Sequence, residues 1–243
     1  MKGKFSTILF CLSSILLQQI SAQNIYTINE KVVNMMDNVA YLKSLSPQQT
    51  EEYEGSPYEN DNFVEGKVYY GKKWLYSDVP LRYNIYADQM EFLLEEKNES
   101  YALVPDKQIE KIELGDKVFV VGESLAGLNT ESRFYRQVAT GKIDLLAKLD
   151  IYYREKEIPK GFVEPKPAQY IRRNDIYFLR KANELVLRIG SMNKMIKYIG
   201  DHQEELKAFA KKEKIKTSVE EDLIKFINYY NTLAGNEEPE AGM

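Results

Sequence analysis

Between Phe63 and Val121 the chain is cut at short, regular intervals into apolar runs too brief for helices, and this punctuation restricts the fold more than any other feature of the sequence. The runs are Phe63 to Tyr70, Lys73 to Tyr76, Val79 to Tyr86, Gln89 to Glu95, Ile109 to Leu114 and Lys117 to Val121. Turn-forming residues such as Gly71-Lys72, Ser77-Asp78, Ala87-Asp88, Glu96 to Glu99 and Gly115-Asp116 separate them. Strand-length runs joined by two to four turn residues predict consecutive antiparallel strands. A two-residue turn at Ala87-Asp88 would set Ile85 opposite Met90, Tyr83 opposite Phe92 and Leu81 opposite Leu94. A four-residue turn at Glu96 to Glu99 then sets Tyr101 opposite Leu94 and Leu103 opposite Phe92. All eight side chains fall on one face, so three strands share an apolar surface. Val118, Phe119, Val120 and Val121 are apolar on both faces, which predicts a covered central strand.

Further strands are expected at Ser132 to Ala139, Ile143 to Tyr153, Asp175 to Arg180 and Glu184 to Arg188, with an extended connection through Pro159, Pro165 and Pro167. The period then changes. Asp201 with Glu204, and Ser218 with Glu221, have the spacing of reciprocal helix caps, and Val219, Leu223, Phe226, Ile227 and Tyr230 form one helical stripe. The predicted fold is α+β: mainly an antiparallel β meander, as a curved or barrel-like sheet, with two C-terminal amphipathic helices. Those helices need an apolar partner, and the face carrying Tyr83 and Phe92 is the expected one.

The first residues carry Lys2 and Lys4, an apolar run from Phe5 to Leu17 and an Ile20-Ser21-Ala22 ending, the layout of a cleaved signal peptide. The run is shorter than the roughly 20 residues a spanning helix needs. The organisation expected is a signal peptide over 1–22, an N-terminal helix and arm over 23–58, a β-rich domain with C-terminal helices over 59–233, and a flexible tail over 234–243. In the arm, Val32, Val33, Met36, Val39 and Ala40 fit one face of a short helix. Removing Lys2 and Lys4 takes the 33 basic residues to 31 against 37 acidic ones, a net charge of about −6. That balance argues against nucleic acid, which needs a dominant basic footprint. Cys11 lies inside the apolar run, so the mature chain would be cysteine-free, without disulfide, thiolate nucleophile or sulfur metal site.

Several segments together resemble a known group. They are Gly55-Ser56-Pro57-Tyr58, Phe63, Gly66, the run Val79 to Tyr86, Asp88 to Phe92, and the ending from Glu220-Glu221-Asp222-Leu223 to Tyr229-Tyr230-Asn231. Over most of the mature length they resemble uncharacterised exported proteins of Gram-negative bacteria. The resemblance implies export to the periplasm, the outer-membrane surface or the medium, and implies no activity.

Sites for chemistry are sparse. Gly122-Glu123-Ser124-Leu125-Ala126-Gly127 misses the nucleophile-elbow spacing by one residue, and Ser191-Met192-Asn193-Lys194 has a Ser-x-x-Lys spacing without its Lys-Thr-Gly or Ser-Asp-Asn partners. His202 is the only histidine and reads as a polar residue at a helix start, with Leu206 and Phe209 behind it. One imidazole cannot make a zinc site of the common type. Paired carboxylates could hydrolyse a glycoside without histidine, and Asp61, Glu65, Asp78, Asp88, Glu91, Asp116, Asp144 and Asp150 are the candidates. The 18 tyrosines are the remaining oddity. Tyr69, Tyr70, Trp74, Tyr76, Tyr83, Tyr86, Tyr135, Tyr152, Tyr153 and Tyr177 fall on predicted strands, mostly as packing, with a remainder able to form a platform for sugar, peptide or lipid. Asn98-Glu99-Ser100 is a formal glycosylation sequon that reads as a hairpin tip. No catalytic, cofactor or metal residue is singled out. The reading is a non-catalytic exported binding or structural protein of the bacterial envelope, with a protein, glycan or lipid partner and no transmembrane segment. A carrier of lipid or other apolar ligand, and a histidine-independent hydrolase, are the alternatives.

Overall fold

The computed structural model describes residues 32–44, 53–122, 125, 132–157, 166–182 and 186–235. In chain order the elements are a short helix α1 (32–38), then β1 (Tyr41–Lys43), β2 (Tyr53–Glu54), β3 (Val64–Tyr70), β4 (Trp74–Asn84), β5 (Gln89–Leu94), β6 (Glu99–Leu103), β7 (Ile109–Leu114) and β8 (Lys117–Val121). There follow β9 (Phe134–Ala139), β10 (Ile143–Lys148), β11 (Ile151–Arg154), β12 (Ala168–Arg172), β13 (Ile176–Lys181), β14 (Leu187–Arg188), α2 (Met192–Ile199), α3 (Gln203–Glu213) and α4 (Glu220–Gly235). The α+β class is observed. An 11-stranded antiparallel sheet has the order β1-β6-β5-β4-β3-β7-β8-β9-β10-β13-β14, and a three-stranded sheet has the order β11-β12-β2 with β2 parallel to β12.

The large sheet is strongly bent. Strands in a flat sheet lie about 4.8 Å apart, so β4 and β9, four steps apart, would be separated by roughly 19 Å. Yet the Tyr83 ring of β4 lies 4.9 Å from Phe119 of β8 and 6.1 Å from Phe134 of β9, centroid to centroid. The sheet curls so that its own inner face closes on itself, and it is not the single meander expected, since β7 pairs with β3 and not with β6. The edge strands β1 and β14 do not pair with each other, so the sheet is open and is not a closed barrel.

Both hairpin registers differ from those expected, by two residues each. Leu81 faces Phe92 and Tyr83 faces Met90, while Phe92 faces Tyr101 and Leu94 faces Glu99. The first turn takes four residues because the Asn84 side chain accepts from the Ala87 N–H at 2.9 Å and Asp88 adopts a left-handed φ of 51°. The second starts one residue earlier than expected and closes on Asn98 at φ 51°. A slip of two keeps every side chain on its face, so the apolar face survives: Leu81, Tyr83, Ile85, Met90, Phe92, Leu94 and Leu103 are all buried in one cluster. Two other strand boundaries differ. Ser77-Asp78 is not a turn but an irregular point within β4, where Asp78 has φ 56°. Ile143 to Tyr153 is two strands in two sheets, and the proline-broken connection contains β12, which patterning missed.

The inner face is covered in two sections. Over strands β3 to β9, α1 supplies Val32 and Met35 and the residue after it, Val39, completes the cover, while Val33 faces solvent, so the helix is turned slightly from the expected face. The C-terminal helices do not cover Tyr83 and Phe92 as expected. Leu223, Phe226, Ile227 and Tyr230 pack instead on Ile143, Leu145, Ala147, Tyr177 and Leu179 of β10 and β13, further along the same face. Three C-terminal helices are present rather than two, because Met192–Ile199 is a helix of its own with Ser191 as its N-cap, accepting from the Lys194 N–H at 3.4 Å. The N-cap of α3 is His202, in the left-handed region, rather than Asp201. α4 runs on through Ala234, which is buried, to Gly235. The expected signal peptide with Cys11, the loop carrying Ser124, Pro159 and Pro165, and the tail beyond Gly235 lie outside the described residues.

Candidate functional site

Of the candidate carboxylates, Glu91, Asp88, Asp144, Asp150 and Asp61 are each held by partners of their own. Glu91 is fully buried and holds Arg82 through Nη2 at 2.7 Å, with Ser44 Oγ donating at 2.8 Å and Asn84 Nδ2 at 3.3 Å. The Arg82 guanidinium lies over the Tyr58 and Phe63 rings at 3.7 and 4.3 Å, so this cluster pins the segment before β3 to β4. Asp88 accepts from Tyr83 Oη at 2.7 Å, Ser132 Oγ at 2.8 Å and the Arg133 and Phe134 N–H groups, tying the β4–β5 turn to the start of β9. Asp144 is taken up by Arg180, Asp150 by Arg173 and Asp61 by Ser56. These are structural uses of charge. His202 and Ser191 sit at helix starts, as described. Among the described residues no group of three or more histidine, cysteine, aspartate or glutamate side chains is arranged to hold a metal ion.

The carboxylates that do come together, Asp175 and Glu220, are ones that spacing could not pair. Both bind Arg136, Asp175 at 3.2 Å to Nη2 and Glu220 at 3.1 Å to Nη1. Arg172 holds Asp175 at 2.7 Å and reaches Glu59 at 3.9 Å, and Glu59 also pairs with Lys117. This chain of charges runs along the inner face between the two apolar clusters, crossing from the arm to α4. Burial raises the Asp175 carboxyl, and Arg172 and Arg136 only partly offset it. Burial also works against the charge on Arg136, but Glu220 and Asp175 outweigh it and hold the guanidinium above its usual range. Tyr177 donates to Glu220 at 3.1 Å, and its phenol is raised by burial and by that neighbouring charge.

Beside the charges, tyrosines from four separate elements meet. Tyr170 of β12 is buried and lies 5.1 Å from Tyr53 of β2, 4.9 Å from Tyr153 of β11 and 5.2 Å from Tyr86 of the β4–β5 turn, with Tyr86 and Tyr153 6.2 Å apart. Tyr53, Tyr153, Tyr170 and Arg172 share one face of the small sheet, as their pairing requires. Gly55 makes the seat possible: a Cβ there would lie 2.3 Å from the Tyr170 carbonyl oxygen, and its φ is 75°. Tyr86 closes the cluster and is 51% exposed. Patterning named Tyr86 and Tyr153 but not Tyr53 or Tyr170. Those two lie in strands too short, or too close to prolines, to show a period.

No protein-family model matches the chain, and no curated protein or solved structure does either. No helix among the described residues is long and apolar enough to cross a membrane.

Proposed function

We propose that this chain is an exported, non-catalytic binding protein of the bacterial envelope, and that its ligand, a glycan, lies on the tyrosine cluster where the two sheets meet. The observation that carries the proposal is Tyr86, half exposed at the rim of a four-tyrosine cluster centred on Tyr170. Tyrosine offers a rigid ring face for the C–H face of a sugar and a hydroxyl for its polar edge, at low cost in side-chain entropy. The charge chain reaching Arg172 and Glu59 places hydrogen-bonding groups on the same side of the small sheet. An apolar-ligand carrier has less support, because the curled interior is filled by Tyr83, Phe92, Phe119 and Phe134, all essentially without exposed surface. A paired-carboxylate hydrolase has less as well, since Asp175 and Glu220 are both held by one arginine.

The test is binding to an oligosaccharide panel by wild type, Tyr86→Ala and Tyr153→Ala, with urea denaturation in parallel. Tyr86→Ala should keep stability to within about 1 kcal/mol, as substitutions at exposed sites do, and should lose glycan binding. Binding unchanged in both variants would overturn the assignment.

A further inference from the structure

The β3–β4 hairpin presents an apolar tip that the core does not use. Trp74 and Leu75 are 54% and 53% exposed at the start of β4. They follow Gly71, Lys72 and Lys73, all exposed. The tip is not a loose end. Gly71 and Lys72 have φ of 60° and 57°, the pair of left-handed residues that matches a tight hairpin turn to the twist of its strands. The Gly71 N–H donates to the Gln108 carbonyl at 2.8 Å, and Tyr70 Oη donates to Asp106 at 3.4 Å, so the β6–β7 connection braces the turn from the side. A tryptophan and a leucine are thus held out in water by a built turn.

The charges around them select the partner. Lys72, Lys73 and the exposed Lys107 of the bracing connection surround the tip, and none of the three is ion-paired among the described residues. Of the nearby acids, Asp106 accepts from the Gln108 N–H and Tyr70 and keeps its charge, and Glu110 is exposed on β7, two carboxylates against the three lysines. The tip therefore carries local positive charge on a chain whose net charge is −4. Tryptophan prefers the boundary between headgroups and acyl chains, and lysine reaches back from that depth to the phosphates.

We infer that the Gly71–Leu75 tip docks on an anionic lipid surface, inserting Trp74 and Leu75 at headgroup depth while Lys72, Lys73 and Lys107 contact phosphate. The inference is independent of the glycan reading, because the tip and the tyrosine cluster share no residue. Trp74 is the only tryptophan in the chain, so its fluorescence reports on this site alone. The experiment adds vesicles of phosphatidylcholine, with or without phosphatidylglycerol, to the full chain and follows Trp74 emission and co-flotation. A blue shift and flotation with phosphatidylglycerol are expected, and salt should weaken both. Lys72→Glu combined with Lys73→Glu should reduce partitioning by about tenfold or more, given the attraction of each lysine near an anionic surface. Trp74→Ser, read by flotation, should lose most of the binding. No shift with phosphatidylglycerol vesicles, or a shift that the lysine reversals leave unchanged, would overturn the inference. A concentration-dependent blue shift without vesicles would overturn it too, in favour of a second copy of the chain covering the tip.

Discussion

Replacing Asp88 by glycine isolates what its carboxylate does, because glycine tolerates the left-handed φ of 51° as well as any residue. The substitution removes the acceptor for four donors: Tyr83 Oη, Ser132 Oγ and the N–H groups of Arg133 and Phe134. Two of these recover elsewhere. Ser132 Oγ already reaches the Phe134 carbonyl at 3.0 Å, and Arg133 is exposed and can find water. The Tyr83 hydroxyl and the Phe134 N–H belong to residues only 1% exposed and are left without this partner. At about 1–3 kcal/mol for each of the two orphaned buried donors, the loss should be roughly 2–6 kcal/mol. Asn98→Gly is the control. Asn98 has φ 51° and an exposed side chain, so it should cost under about 1 kcal/mol. Urea denaturation followed by far-UV circular dichroism measures both. If Asp88→Gly is no more destabilising than Asn98→Gly, the clamp between the β4–β5 turn and β9 does not hold the curl.

Two glycines form a second contrast: Gly55→Ala should cost clearly more than Gly115→Ala, since both have positive φ but an added Cβ would run into the Tyr170 carbonyl at Gly55 and would meet nothing within 4 Å at Gly115. Thermal denaturation should show about 1–2 kcal/mol for the left-handed alanine alone, and a further 1–3 kcal/mol for the clash at Gly55. The buried phenols set an alkaline limit. Burial first, then Asp88 and Glu220 respectively, raises Tyr83 and Tyr177, so the stability they confer is complete below the unfolded value near 10 and is lost as pH rises through their folded values. Absorbance titration should show these tyrosines ionising only as the protein unfolds, and smooth ionisation of all tyrosines without unfolding would refute it.

The faces of the strands were legible in the sequence, and their registers were not, for one reason. Alternation has a period of two, so a hairpin slipped by two residues is indistinguishable from the correct one by pattern alone. The deciding information sat in Asn84 and Asp88, whose side chains lengthen the turn through bonds of their own. Pattern also identified the apolar stripe of α4 but not its destination, because two stretches of one continuous inner face were equally apolar. The site was harder still. The Tyr53 and Tyr170 rings meet because β2 runs parallel beside β12, and Asp175 meets Glu220 through Arg136. Such meetings are made by tertiary structure and leave no local spacing to read.

That parallel bridge also bears on the order in which the protein assembles. Tyr53 and Glu54 pair with Ala168 and Gln169, across most of the large sheet. A closure of that span has a large entropic cost and little local reward. The hairpins linking β3 to β6 and β7 to β8 form between neighbours in sequence, and β3 meets β7 within the same stretch, whereas the small sheet must wait until the chain beyond β11 has emerged and folded back. The tyrosine cluster is therefore among the last parts of the molecule to exist. A chain cut anywhere between β8 and β12 would have a formed hairpin series and no tyrosine cluster.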